Sequence, residues 1–388
     1  MLRKTKRMRT SSPRIALVSP GHTLPRRILM EARRRLLRKP GCRSALFSSK
    51  GNLEEVVRWQ PDGLIAHVNS HGFRDRLLTL GLPVVNTSQV LFDLPFPSVS
   101  PDNLRIGQMA AHHLLHQGYT SFVYVGQKDL AYSYFREEGF LASLQEMKVF
   151  PSYHGKLPPP MGLGAGRFDM PDEFRNWLLA LPPRTGLFVA DDPTGAVILE
   201  AAEELSIPPE DAPGIVTGHD MDWPTDPTLS SVEISNRRWG SASAEMILGW
   251  LQHPESVPED VFFPPGELNQ RETTSSVATR DPVVLEAIQF IRDHADLDLS
   301  VPDVAEAVGR GRRTLERRFK EELGYTLLHE INRAHVQLAK QLLRETNDSV
   351  VDVSRQVGLD DVNRLIRIFN KFEKISPGKY REQIRQNT

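Results

Sequence analysis

One short pattern occurs twice near the C-terminus, and it restricts the fold more than any other feature of the chain. In the first copy Val304, Ala305 and Val308 form an apolar face, Gly309 follows, and Leu315 and Phe319 resume the stripe four residues apart. In the second, Val350, Val353 and Val357 precede Gly358, and Leu365, Ile368, Phe369 and Phe372 follow. A helical face that stops at a glycine free to take positive φ, then resumes, reads as helix-turn-helix. Gly309 to Leu315 spans six residues and Gly358 to Leu365 seven, so the second turn is one residue longer. Ser300, with Asp303 three residues on, predicts a capping box at the start of the first unit. Between the units, Ile331, Ala334, Leu338, Leu342 and Leu343 predict a connecting helix over Thr326–Glu345. No strand signal follows residue 278, so this region is expected to be an all-α domain with two helix-turn-helix units.

The charge pattern indicates what such a pair would bind. The chain of 388 residues has a formal net charge of −1, so total charge does not mark a nucleic-acid partner. Local sign does, because a phosphate backbone responds to the nearby field. The second helix of the first unit turns Arg312, Arg313, Glu316 and Arg317 outward; that of the second unit turns Asn363, Arg364 and Arg367 outward. Arginine can donate two hydrogen bonds to guanine O6 and N7, and asparagine pairs similarly with adenine. Two such helices about 34 Å apart would enter successive major grooves. A helical bundle without a DNA role would not need arginines at both outward sets.

The preceding 270 or so residues read differently. Candidate strands at residues 15–19, 44–47, 63–66, 83–86, 122–126, 186–190 and 214–218 alternate with amphipathic stretches at 26–38, 104–117, 131–147, 172–181, 194–205 and 237–251. That alternation predicts a mostly parallel α/β sheet, with ligand bound in a cleft at the C-terminal ends of the strands. Asp102, Arg136, Asp191, Asp192 and Asp220 fall just after strands or at helix starts. Carboxylates accept from two hydroxyls and arginine donates to oxygen, which suits a polyol; helix capping is the competing role. The prolines and the Thr273–Ser276 run in segment 253–280 read as an end strand and a linker. Residues 1–13 form a basic tail, 14–278 the α/β domain and 279–388 the helical domain. The glycines after Pro158, Pro159 and Pro160 lack the strand and helix of a nucleotide-binding turn and read as a loop.

Other classes find little support. Cys42 is the single cysteine, which excludes an internal disulfide and fits a reducing cytoplasm. No apolar run approaches the roughly 20 residues needed to span a bilayer, so no membrane role is expected. His112 and His116 stand four apart, as metal ligands can, but no third ligand is evident; they read as helix surface. Gly218-His219-Asp220 lacks a partnering serine elbow. Neither an enzyme nor a cofactor is expected.

The helical tract resembles the AraC/XylS transcription regulators. Thr314 through Gly324, Arg333-Ala334, Leu338-Ala339, Phe369-Asn370-Lys371-Phe372 and Ser376 through Arg381 carry the resemblance. The α/β tract resembles the periplasmic-binding-protein-like sensor of LacI/GalR regulators, on Asp102 through Gly107, Arg136 through Phe140, Asp191-Asp192, Gly218 through Asp220 and Arg237 through Gly240. That resemblance implies a two-lobed sensor in which Asp102, Arg136, Asp191, Asp220 and Asn236 face a sugar, while Asp192 caps its helix. A sensor followed by an AraC-type domain is similar in order to bacterial xylose operon regulators. It implies xylose or another monosaccharide as effector, operator DNA, a homodimer and RNA polymerase as partners, activation of pentose utilisation genes, and a cytoplasmic, nucleoid-associated location.

Overall fold

The computed structural model describes residues 12–19, 23–48, 53–127, 129–147, 170–208, 211–219, 228–274, 281–323, 325–373 and 375–387. The basic tail before residue 12, the glycine-rich stretch 162–166, Asp220 and residues 275–280 lie outside them.

Strands β1 (Arg14–Ser19), β2 (Arg43–Ser48), β3 (Gly63–Ala66) and β4 (Val84–Asn86) alternate with helices α1 (Thr23–Leu37), α2 (Glu54–Trp59) and α3 (His71–Leu78). The strands form one parallel sheet, ordered β2-β1-β3-β4. Strand β5 (Val99–Pro101) and helix α4 (Asn103–His116) lead away to β6 (Ser121–Val125), α5 (Ala131–Glu146), α6 (Asp172–Leu179), β7 (Thr185–Val189), α7 (Asp192–Glu204), β8 (Gly214–Thr217) and β9 (Ser230–Val232). After β9 come α8 (Asn236–Gln252), β10 (Val261–Phe263) and β11 (Leu268–Asn269). The second sheet is ordered β11-β9-β8-β7-β6, with β11 antiparallel to β9. Strands β3, β6 and β7 are buried along their whole length, as parallel strands covered on both faces must be.

The two lobes are not consecutive in sequence. Helix α8 returns to the first lobe and packs on α1, β3, β4 and β5. Gly240 makes that approach possible, since a Cβ there would lie 2.4 Å from the Ile28 carbonyl oxygen. Trp239 Nε1 donates to the Val99 carbonyl at 2.6 Å, and β10 pairs in parallel with β5. The chain therefore passes between the sheets three times, after β5, before α8 and after β10.

The expected strands and helices occur within three residues of their sequence positions. Sequence reading missed α2, α3, β5 and β9. The two strands have three residues each and carry the buried Ser100, Ser230 and Ser231, so neither length nor hydropathy marks them. The linker reading also needs correction at its start. Thr273 donates to the Ile215 carbonyl at 2.8 Å and Thr274 is buried in a 3-10 turn over Glu272–Thr274, so both belong to the α/β domain's packing.

The C-terminal part is helical: α9 (Pro282–Asp293), α10 (Val301–Ala307), α11 (Arg312–Leu323), α12 (Leu327–Glu345), α13 (Val350–Gln356), α14 (Val362–Glu373) and α15 (Pro377–Asn387). The capping box is present: Asp303 N–H donates to Ser300 Oγ, and Ser300 N–H donates to Asp303 Oδ2 at 2.7 Å. The helical part has two separate apolar cores. One gathers α9, α10 and α11 around Leu315 and Phe319; the other gathers α13, α14 and α15 around Leu365 and Phe369. Helix α12 serves both, with Leu327 and Ile331 in the first and Val336, Ala339 and Leu343 in the second. By compactness the chain divides into two units: Met1–His113, Ser121–Ile207 and Ile215–Ser275 in one; Leu114–Thr120, Pro208–Gly214 and Ser276–Thr388 in the other. Among the described residues no helix is long and apolar enough to cross a membrane.

Candidate functional site

In the α/β unit, a polar cluster forms where β6, β7 and β8 end. Its centre is Arg136 on α5, only 4% exposed. Arg136 Nε donates to Asn103 Oδ1 at 2.7 Å, and Nη1 donates to the Ala190 carbonyl that follows β7. The guanidinium lies 5.1 Å from the ring centroid of Tyr132. Gly218, just after β8, leaves room for it: a Cβ there would sit 2.6 Å from Nη1. Burial pulls the guanidinium pKa down, opposed by Tyr132, Tyr124, Asp191 and Asp192. Burial likewise pushes the Tyr132 phenol up, helped by the nearby Asp191 carboxylate.

Helix packing fixes this geometry. Helices α4 and α5 cross at two glycines. A Cβ on Gly107 would lie 2.1 Å from the Arg136 carbonyl oxygen, and one on Gly139 would lie 2.0 Å from that of Leu104. Only glycine lets the helices approach this closely, and the approach brings Asn103 within reach of Arg136.

The other sequence candidates fall in distinct places. Asp102 caps α4, its Oδ1 accepting from Arg105 N–H at 2.9 Å, and is half-buried. Asp191 is the N-cap of α7, accepting from Thr194 N–H at 3.0 Å and Thr194 Oγ1 at 2.8 Å. The assignment of that cap to Asp192 was therefore one residue late: Asp192 is inside the helix and buried. Proline lacks only an N–H that the first turn does not use, so the helix begins before Pro193. Asn236 opens α8, and its Oδ1 is buried with no hydrogen-bond partner among the described residues. Sequence reading missed Asn103 and Tyr132 as members of the cluster. Neither carried a sequence signal, because β5, the strand that ends two residues before Asn103, was itself not marked by length or hydropathy.

The histidines of α4 also differ from a plain helix surface. His112 is exposed, but His113 Nε2 lies 2.7 Å from Thr274 Oγ1, and His116 stacks on His329 with centroids 5.2 Å apart. Among the described residues no group of three His, Cys, Asp or Glu could hold a metal ion.

In the helical unit, α11 and α14 each bury one stripe and expose a polar face. On α11 the buried stripe is Leu315, Phe319 and Leu323; Arg312, Arg313 and Arg317 are exposed. Arg317 pairs with Glu321 at 2.9 Å and Arg312 with Glu316 at 3.4 Å, each one turn along the helix. Such exposed pairs are weak and exchange readily for a phosphate or base edge. On α14, Leu365, Ile368 and Phe369 are buried, while Asn363, Arg367 and Asn370 are exposed. Among the described residues Arg313 and Arg367 have no ion-pair partner. Arg364 stands apart, bonded through Nη1 to Asp298 Oδ1 at 2.6 Å.

Helix α12, which packs on both α11 and α14, holds a buried ion pair. Glu330 is fully buried and accepts from Arg333 Nε at 2.9 Å and from Tyr325 Oη at 3.1 Å. Burial lowers the pKa of His329, as do Lys371 and Arg333; burial and Arg364 lower that of His335.

Comparison with known proteins places both parts. Residues 304–383 match the helix-turn-helix domain family and residues 111–274 the periplasmic binding protein-like domain family. The chain is 27% identical over 346 residues to the xylose operon regulatory protein of Escherichia coli K12, covering 86% of this chain and 87% of that one. It is similar to a solved structure of a xylose-binding transcription activator, with a TM-score of 0.57 and 26% identity over 97% of this chain and 99% of that one. The α/β part shares its fold with a LacI family regulator from Enterococcus faecium solved with ribose, at 23% identity and a TM-score of 0.54 over 66% of this chain and 97% of that one. The chain thus joins a LacI-like sensor domain to an AraC-type helix-turn-helix domain, and is homologous to xylose operon regulators along most of its length.

Proposed function

We infer that this chain, an AraC-type DNA-binding domain carried behind a LacI-like sensor, is a sugar-responsive transcription regulator whose effector is a pentose, D-xylose. The full-length correspondence with a xylose-binding transcription activator carries this reading. The site chemistry supports it. A buried arginine held by Asn103, with Asp191 and Tyr132 beside it, offers donors and acceptors over one small volume, as a polyol requires.

We assign residues 14–278 to the sensor and 279–388 to the DNA-binding domain, with 1–13 as a basic tail. Asp102, Arg136, Asp191, Asp220 and Asn236 form our effector set. Arg312, Arg313, Glu316, Arg317, Asn363 and Arg367 form our DNA-facing set. The regulator acts as a homodimer in the cytoplasm, on nucleoid DNA, and engages RNA polymerase as an activator without catalysing a reaction. Xylose acts by binding the DNA-competent arrangement more tightly than the alternative.

The test combines two measurements on the purified chain. Calorimetric titration should show heat with D-xylose and less or none with D-ribose, L-arabinose and D-glucose, and Arg136→Ala should abolish it. Duplexes enriched from a random pool in the presence of D-xylose should be retarded in gels. Arg317→Ala and Arg367→Ala should each weaken that binding by about 1–3 kcal/mol if they contact bases. Absence of heat with any sugar would remove the sensor assignment. Equal loss on every DNA sequence would reassign the arginines to phosphates.

A further inference from the structure

The two apolar cores of the helical unit are joined by α12 and by one further set of contacts. The loop between α9 and α10, residues 294–300, lies directly against the second helix-turn-helix. Three contacts tie them. One is made by α12 itself, where His335 Nδ1 lies 3.0 Å from the Ala295 carbonyl oxygen, and the other two reach the second helix-turn-helix directly. The turn glycine Gly358, at φ 73°, lies against the loop backbone so closely that a Cβ would be 2.3 Å from the Leu297 carbonyl carbon and 2.6 Å from Asp298 N. Arg364, in the first turn of α14, then bonds Asp298 at 2.6 Å. Gly309, the equivalent glycine of the first unit, has φ 61° but nothing within 4 Å of its Cβ position. The second turn is therefore buttressed by the first unit, through residues that the first unit's own core does not use.

Arg364 also differs from its neighbours on α14. Its side chain is 30% exposed and directed to the first unit, whereas Asn363 and Arg367 are exposed with no such tie. A guanidinium committed to Asp298 is not presented to a base edge, although its sequence position resembles that of the other outward residues.

We propose that Arg364 is a positioning residue: with Asp298 and the turn at Gly358, it sets the offset between the two recognition helices and so the spacing of the two DNA boxes this protein accepts. The inference rests on the DNA-binding reading above. A loosened buttress leaves each helix able to read its own box but widens the range of separations the pair tolerates.

The experiment is site selection from a random-sequence duplex library with the full chain and D-xylose, for the wild type, Arg364→Ala, Asp298→Ala and the exchanged pair Asp298→Arg with Arg364→Asp. The wild type is expected to enrich two boxes at one separation. Both single variants are expected to keep the base preferences of each box, to enrich separations one base pair or more to either side, and to lose about two- to five-fold in affinity for the best-spaced site. The exchanged pair is expected to restore the single separation. Thermal melts identify any variant that fails to fold, in which case the conservative Arg364→Lys and Asp298→Asn take its place. Loss of a base preference in the second box on Arg364→Ala, with spacing unchanged, makes Arg364 a base reader and overturns the proposal. Unchanged spacing in both single variants also overturns it. If the wild type enriches no site, the DNA-binding reading fails and the proposal fails with it.

Discussion

Arg136, Glu330 and Arg364 are charged residues of one chain in three environments, and burial separates their roles. Glu330 is fully buried and its partner Arg333 is nearly so. Removing one member of such a pair strands the other charge in a dry site, so Glu330→Ala should destabilise the helical unit by about 3–5 kcal/mol, read as a lower urea midpoint. The histidines give a second prediction. His329 and His335 titrate below their ordinary 6.5 when folded. The unfolded chain then binds more protons than the native one under mildly acidic conditions. Their contribution to stability is complete above about pH 6.5 and is lost as pH falls through the window down to the lowered values. The urea midpoint of the helical unit should therefore be lower at pH 5.5 than at pH 7.5; an unchanged midpoint would contradict the burial of these rings. At this scale the sequence was readable where residue type alone decides. Arginines on the exposed faces of α11 and α14 followed from periodicity. That Arg364 turns to Asp298, 66 residues away, did not, because no local pattern encodes a partner so distant. The one-residue error between Asp191 and Asp192 has a local cause: two adjacent carboxylates are equivalent as letters, and only the backbone at Asp191, extended at φ −147° and ψ 157°, distinguishes them.

Elements were more legible than contacts. The long helices and central strands were visible in the sequence because their periodicity persists over several turns or their apolar runs are unbroken. The crossing of α4 and α5 shows how an element positions a site. Gly107 and Gly139 each admit a neighbouring backbone where a methyl group would overlap it. Gly107→Ala should push the helices apart, cost about 1–3 kcal/mol, and weaken D-xylose binding by moving Asn103 away from Arg136. Gly249 provides the contrast. It is exposed in α8 with nothing within 4 Å of its Cβ position. Gly249→Ala should stabilise the protein by about 0.5–1 kcal/mol through helix propensity and leave xylose binding unchanged. Thermal melts and calorimetry on the two variants separate a packing glycine from an incidental one.

On the scale of the whole molecule, the chain divides into an α/β unit and a largely helical one with their own cores. Heating is expected to give more than one calorimetric transition. D-xylose at about 100 times its Kd should stabilise the α/β unit by about 2.7 kcal/mol and raise its transition, and Arg136→Ala should remove that rise. The interleaving of the first lobe has a different consequence, for synthesis. Helix α1 packs on β1 and β2 beside it in sequence, and also on α8, which arrives some two hundred residues later. At about 5–20 residues per second, that interval lasts on the order of tens of seconds. During this time the emerging chain carries the face of α1 that α8 will cover. Strands β6 to β9 of the second lobe run consecutively and can pair in that interval, with the edge strand β11 added after α8. A chain truncated before α8 is therefore expected to leave that face exposed and to aggregate rather than fold as a shorter sensor, an outcome that light scattering on the fragment checks.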